Sequence, residues 1–133
     1  MTRRHPVIER DLAAIAALPL PWAELHGRRV MITGASGFLG SYLVEFLTYL
    51  NEINRDLPPI TILALARNKE KLAGRLGHLL DSTFLKPLIH DVATPLTEHL
   101  EVNFVVHAAS LASPRHYLSA PVDTIRANVL GTM

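Results

Sequence analysis

The chain has 133 residues, 49% of them apolar and 19% charged, which is enough apolar surface for one core and too little chain for two ordinary domains. Thirteen basic and twelve acidic side chains leave a net charge of +1, so the balance predicts neither a nucleic acid nor a membrane surface as partner. The absence of cysteine excludes disulfides, thiolate metal sites and a thiol nucleophile.

Val7 to Leu18 places Ile8, Leu12 and Ile15 at helical spacing and stops at Pro19, so residues 1–27 are predicted to form a helical arm ahead of the domain proper. Val30 to Thr33 is a short buried strand, followed at once by a glycine-rich turn and a helix from Phe38 to Leu50 with Leu39, Leu43, Phe46, Leu47 and Leu50 on one stripe. The run from Leu57 to Ala66 carries two prolines and is too short to span a bilayer. Its second part, Ile60 to Ala66, is apolar on both faces, as suits a parallel strand covered on both sides. Asn68 can cap a helix that carries Leu72, Leu76, Leu79 and Leu80 on one side, with Glu70 in its first turn. Pro87 to His90 and Asn103 to Ala108 are predicted third and fourth strands. Thr124 to Met133 is predicted to begin a helix that has no C-cap. This alternation predicts an α/β fold, a Rossmann-type doubly wound parallel sheet. Its remaining strands would need further chain, so residues 28–133 are read as the N-terminal half of such a domain. The N-terminus has no stretch of signal-peptide type, and a cytoplasmic protein is the expectation.

The segment from Thr33 to Gly40 follows a strand and opens a helix, with glycines at 34, 37 and 40. In such a setting Gly34 permits the tight turn, Gly37 lets backbone N–H groups approach a phosphate, and Gly40 allows close helix packing. The helix N-terminus then offers unpaired donors and the positive end of its dipole to a pyrophosphate. No lysine lies between Val30 and Leu57, which excludes a P-loop there.

Thr33-Gly-Ala-Ser-Gly-Phe-Leu-Gly40, the block from Val106 to Pro114 with His116-Tyr117, and Asn128-Val-Leu-Gly-Thr132 together resemble the extended short-chain dehydrogenase/reductases, the NAD-dependent epimerase/dehydratase family. Within it they are most similar to UDP-glucuronate decarboxylases and related nucleotide-sugar dehydratases. His90-Asp91-Val92 with Pro95-Leu96 fits the same relatives. The resemblance implies that Gly34, Ser36, Gly37, Phe38, Leu39 and Gly40 form the pyrophosphate and ribose turn. It implies that Asp91 and Val92 meet the adenine, that Ala108, Ala109 and Ser110 flank the cofactor, and that Leu96, Tyr117 and Arg126 face a sugar-nucleotide substrate. It also implies NAD as cofactor, oxidation at the sugar C4 and a homodimer.

Two features depart from the family pattern. The second strand ends Leu65-Ala66-Arg67, where NAD users usually carry an acidic residue for the ribose hydroxyls. Arg67 cannot accept those bonds, but it pairs with a 2′-phosphate or stacks on adenine, so NADP stays open. With the long connection from Asn51 to Pro59, it also leaves open an NADP-dependent reductase of carrier-linked thioesters. The Tyr-x-x-x-Lys proton-transfer pair is missing: Tyr42, Tyr49 and Tyr117 are followed four residues on by Phe46, Ile53 and Pro121. No catalytic residue is therefore assigned in these 133 positions, and a non-catalytic dinucleotide-sensing domain is the further alternative. The seven histidines show no metal-ligand spacing, and His107 is read as a packed strand end. Lys69, Lys71 and Arg75 are read as a solvated face.

Overall fold

The computed structural model describes residues 4–111 and 113–133. Four parallel strands, β1 (Arg29–Thr33), β2 (Thr61–Ala66), β3 (Leu85–Ile89) and β4 (Phe104–His107), form one sheet in the order β3-β2-β1-β4. The helices are α1 (Pro6–Ala16), α2 (Phe38–Ile53), α3 (Lys69–Leu76), α4 (Pro114–Ser119) and α5 (Pro121–Val129), with short 3-10 turns at Trp22–Leu25 and Gly77–Leu79. The order reverses between β1 and β4, the switch point at which doubly wound sheets open a crevice beyond their strand ends.

Alternation along the strands builds two cores. Val30, Ile32, Ile62, Ala64 and Ala66 join Val44, Leu47 and Leu50 of α2 and Leu72 and Leu76 of α3. Met31, Leu63 and Leu65 point the other way, against Leu88, Val92, Leu100 and Val102. β2 is buried on both faces, as its composition predicts: Ile62, Ala64 and Ala66 enter the first core, and Leu63 and Leu65 the second. β4 pairs only with β1 among the described residues, and Phe104, Val105 and Val106 are exposed.

The arm packs against the outer side of α2. Leu12 is fully buried in the first core, and Trp22 meets Phe46 edge-on with ring centroids 4.9 Å apart. Asn51 fastens the end of α2 to the start of β2: its amide donates to the Ile60 carbonyl at 2.9 Å and its oxygen accepts from Ile60 N–H at 2.8 Å. Asn68 caps α3 by accepting from Lys71 N–H at 2.8 Å.

Several boundaries differ from the sequence reading. α3 ends at Leu76 and gives way to the 3-10 turn, so Leu79 reaches the core from that turn and Leu80 lies beyond it. β3 begins at Leu85 and takes in Pro87; as the outer strand of the sheet it tolerates a residue without an N–H. α4 is absent from the sequence reading, its start marked only by Ser113-Pro114 with proline in the first turn. α5 starts at Pro121, three residues earlier than predicted, because proline suits a first helical turn. It ends at Val129 and is capped after all: Leu130 N–H and Gly131 N–H both donate to the Arg126 carbonyl, at 3.0 and 3.3 Å.

Candidate functional site

The glycine turn leaves β1 in the one backbone conformation that needs glycine, with Gly34 at φ +66°. A Cβ there would lie 2.5 Å from the Ala108 carbonyl oxygen, so the turn backs directly onto the end of β4. Ala35 N–H donates to the Leu65 carbonyl at 3.0 Å and ties the turn to β2 as well. Gly37 is the N-cap of α2, with φ −77°; its glycine answers to space, because a Cβ would sit 3.1 Å from the Gly34 carbonyl oxygen. Gly40 is buried against the turn itself: a Cβ would collide with the Gly34 carbonyl, so this glycine admits the turn rather than the sheet.

Beyond these strand ends lies a cleft of about 250 Å³. Gly34, Ser36, Gly37, Arg67, Asp91, Val92, Ala108, Ala109, Ser110 and Arg126 all line it, drawn from every strand end and from α5. The α2 N-terminus opens onto it, where the first N–H groups of a helix have no partner within the helix. The other predicted positions do not line it. Phe38 and Leu39 project into solvent, Gly40 lies beneath the turn, and Leu96 and Tyr117 sit half exposed elsewhere.

Leu65, Ala66, Asn68, Lys71, His90, Ala93, Leu111, Asp123 and Ala127 complete the lining and were given no site role from sequence. Lys71 is exposed, as a solvated face would be, yet it borders the cleft beside Arg67 because the Asn68 cap starts α3 at the strand end. The usable signal was general: the first polar residues after each parallel strand converge on one rim. Asp91 also shapes its own loop, one carboxylate oxygen accepting from Ala93 N–H at 2.9 Å. His107 is more than a packed residue: both ring nitrogens are hydrogen-bonded, to Thr33 and to Ala127. Among the described residues no group of three or more His, Asp or Glu side chains is placed to hold a metal ion.

The sequence profile of the NAD dependent epimerase/dehydratase family matches residues 30–133. The chain belongs to that family. It is 37% identical over 105 residues to UDP-glucuronic acid decarboxylase 1 of Arabidopsis thaliana, a match covering 79% of this chain and 22% of the relative. It is 30% identical over 113 residues to UDP-glucuronic acid decarboxylase 1 of Danio rerio, covering 84% and 24% respectively. The chain thus spans about a quarter of the length of these relatives. The X-ray structure of Pen from Bacillus thuringiensis superposes with a TM-score of 0.63 at 17% identity, over 81% of this chain and 32% of that one, and shares the fold. Family membership carries a nicotinamide dinucleotide as cofactor class. No helix among the described residues is long and apolar enough to cross a membrane.

Proposed function

We propose that these residues form the cofactor-binding part of a nucleotide-sugar epimerase, dehydratase or decarboxylase that works through oxidation at the sugar C4. The observation that carries the reading is the joining of a positive-φ glycine turn, a helix N-terminus and the end of β4 in one cleft at the switch point. A dinucleotide fits this cradle: Gly37 leaves open the space that a Cβ would fill, and the α2 N-terminus offers donors to a pyrophosphate. Gly34, Ser36 and Gly37 would hold the phosphates, Asp91 and Val92 the adenine, and Ala108, Ala109 and Ser110 the far half of the cofactor. Phe38, Leu39 and Gly40 belong to this reading as the first turn of α2, shaping the cradle from outside the cleft. Leu96, Tyr117 and Arg126 would meet the nucleotide sugar.

A bound nicotinamide supplies reversible hydride acceptance; the protein supplies binding and orientation. Backbone N–H groups along the first turn of α2 would meet phosphate charge without a lysine, the Gly37 N–H being donated to the Gly34 carbonyl at 2.9 Å. The small side chains of Ala108 and Ala109 allow the cofactor to approach the strand end closely. Arg126 is the cleft cation on α5 and would pair with substrate charge.

Within this reading the cofactor is NAD, the protein is cytoplasmic and it assembles as a homodimer. The support for NAD is the likeness to the sugar decarboxylases. Arg67 is exposed, so water screens its charge, and it would lie over the adenine of either dinucleotide. The proposal is tested by titrating the purified protein with NADH; absence of binding would overturn it. Binding that survives Gly37→Val in a folded variant would place the cofactor elsewhere.

A further inference from the structure

We propose that His107 is a positioning residue that locks the glycine turn, the end of β4 and α5 into one wall of the cleft. The proposal rests on the dinucleotide reading above and gives a role to a side chain that touches no part of the ligand.

The imidazole is bonded at both ends. Its Nδ1 lies 2.8 Å from the Thr33 hydroxyl oxygen, and its Nε2 lies 3.1 Å from the Ala127 carbonyl oxygen. The Thr33 hydroxyl oxygen accepts in turn from Ala109 N–H at 3.2 Å. A carbonyl can only accept, so Nε2 carries the ring proton and Nδ1 is left as an acceptor for the Thr33 hydroxyl. The Ala109 N–H, the Thr33 hydroxyl and His107 Nε2–H then each have one acceptor, which selects a single tautomer of a neutral ring.

Three elements meet at this ring. Thr33 is the last residue of β1 and directly precedes Gly34, and Ala109 follows β4 by two positions. Ala127 lies on α5 beside Arg126, and all but Thr33 and His107 line the cleft. There is little slack. A Cβ at Gly34 would be 2.5 Å from the Ala108 carbonyl oxygen, and one at Gly131 would be 2.9 Å from His107 Cε1. The hydroxyls of Thr124 and Thr132 bond back to Ala120 and Asn128, so neither reaches the sheet. Among the described residues, His107 makes the one side-chain hydrogen bond that joins α5 to a strand. Without it, the wall that carries Asp123 and Arg126 loses its tie to the phosphate turn.

The test uses the purified protein with His107→Phe, Thr33→Val, the double variant and Thr33→Ser, titrated with NADH by fluorescence. Leu12→Ala, in the core between α1 and α2, serves as a variant that lowers Tm far from the cleft. His107→Phe and Thr33→Val should each weaken NADH binding about tenfold, because each leaves partly buried polar groups unpaired and the wall misplaced. The double variant should bind no worse than the weaker single, since both cut the same chain of bonds. Thr33→Ser, which keeps the hydroxyl, should recover most of the loss, and Leu12→Ala should lower Tm with affinity unchanged. In the ligand-free protein, ¹⁵N spectra should show His107 protonated at Nε2, and the Ala109 amide should exchange faster in His107→Phe. If His107→Phe does not fold, Thr33→Val carries the same readouts. Undiminished affinity, additive singles, a proton on Nδ1, unchanged Ala109 exchange or an equal affinity loss in Leu12→Ala would each overturn the proposal. Should the wild type bind no NADH, the dinucleotide reading falls, and the tautomer and amide exchange still decide whether the lock exists.

Discussion

Gly34 and Gly37 stand three residues apart in one turn, yet a methyl group should do different damage at each. Gly34 has φ +66° and its added Cβ would strike backbone at 2.5 Å, so Gly34→Ala should destabilise the fold, by about 1–3 kcal/mol from the backbone conformation alone. Gly37 has φ −77° and the nearest atom to an added Cβ is 3.1 Å away, so Gly37→Val should fold and lose dinucleotide binding instead. Urea titration beside NADH titration separates the two; a Gly34→Ala variant as stable as wild type would remove the backbone argument. The spacing of the glycines was legible in the sequence, but which one bears the strain was not, because φ depends on how the turn meets β4. Arg67 poses the other residue-scale question. Its alanine variant should weaken NAD and NADP alike, by a few-fold, as a stacking side chain would. A loss confined to NADP, of about tenfold or more, would show that the guanidinium reads a 2′-phosphate and that NAD is the wrong assignment.

At the scale of elements, the arm is held by a charged cluster that no local pattern announces. Arg4 Nε pairs with Glu45 Oε2 at 2.6 Å, its other nitrogens hold Glu52, and its guanidinium lies 5.8 Å from the Tyr49 ring centroid. His78 Nε2 approaches the second oxygen of Glu45 at 2.5 Å. Burial alone would lower the Arg4 pKa, but the hydrogen bonds and charges of Glu52 and Glu45 outweigh it and raise the value. Arg4 and Glu45 are both about nine-tenths buried, whereas Glu52 is 43% exposed. Arg4→Met should therefore cost about 3 kcal/mol by leaving buried Glu45 to His78, and Glu52→Gln less than about 1 kcal/mol in urea titrations. Equal costs would mean that the buried pair has no special weight. Nearby, Tyr42 donates to Asp11 at 2.8 Å, and desolvation followed by that carboxylate raises its pKa. A phenol with a raised folded value contributes stability that is complete below the ordinary tyrosine range near 10 and is lost as pH rises through the folded value. Wild type should thus lose stability above about pH 10 more steeply than Tyr42→Phe, and parallel pH profiles would contradict this. The strands and the long helices were legible because burial imposes their periods. α4 was not, since six residues with no buried face leave no period to read.

For the whole molecule, the sheet order β3-β2-β1-β4 brings distant residues to one rim; the alternation of elements was enough to predict a doubly wound parallel sheet, but not its strand order. The rim's membership was only partly legible: Leu96, Tyr117, Phe38 and Leu39 fall outside the cleft because motif position says nothing of the path a loop takes. That path bears on catalysis. Of the three tyrosines, Tyr42 is committed to Asp11 on the arm, Tyr49 lies near Arg4 on the outer side of α2, and Tyr117 stands half exposed on α4 outside the cleft lining. None has a lysine four residues on, so none can have its phenol held ready for proton transfer in the family's manner. Arg67, Lys71 and Arg126 give the cleft positive charge, and its His90 and Asp91 are bonded within their own loop, to Thr94 and Ala93, so none of these is free to take a proton from a sugar hydroxyl. Removing hydride from C4 without a base for the hydroxyl proton would leave a protonated ketone in the cleft and a high barrier. The 133-residue chain, given NAD and UDP-glucuronic acid, should therefore release no carbon dioxide and accumulate no NADH above the uncatalysed background. Steady product formation by this chain would mean that a group within it performs the proton transfer, and the first residue to replace would then be Asp123, the further carboxylate of the cleft lining.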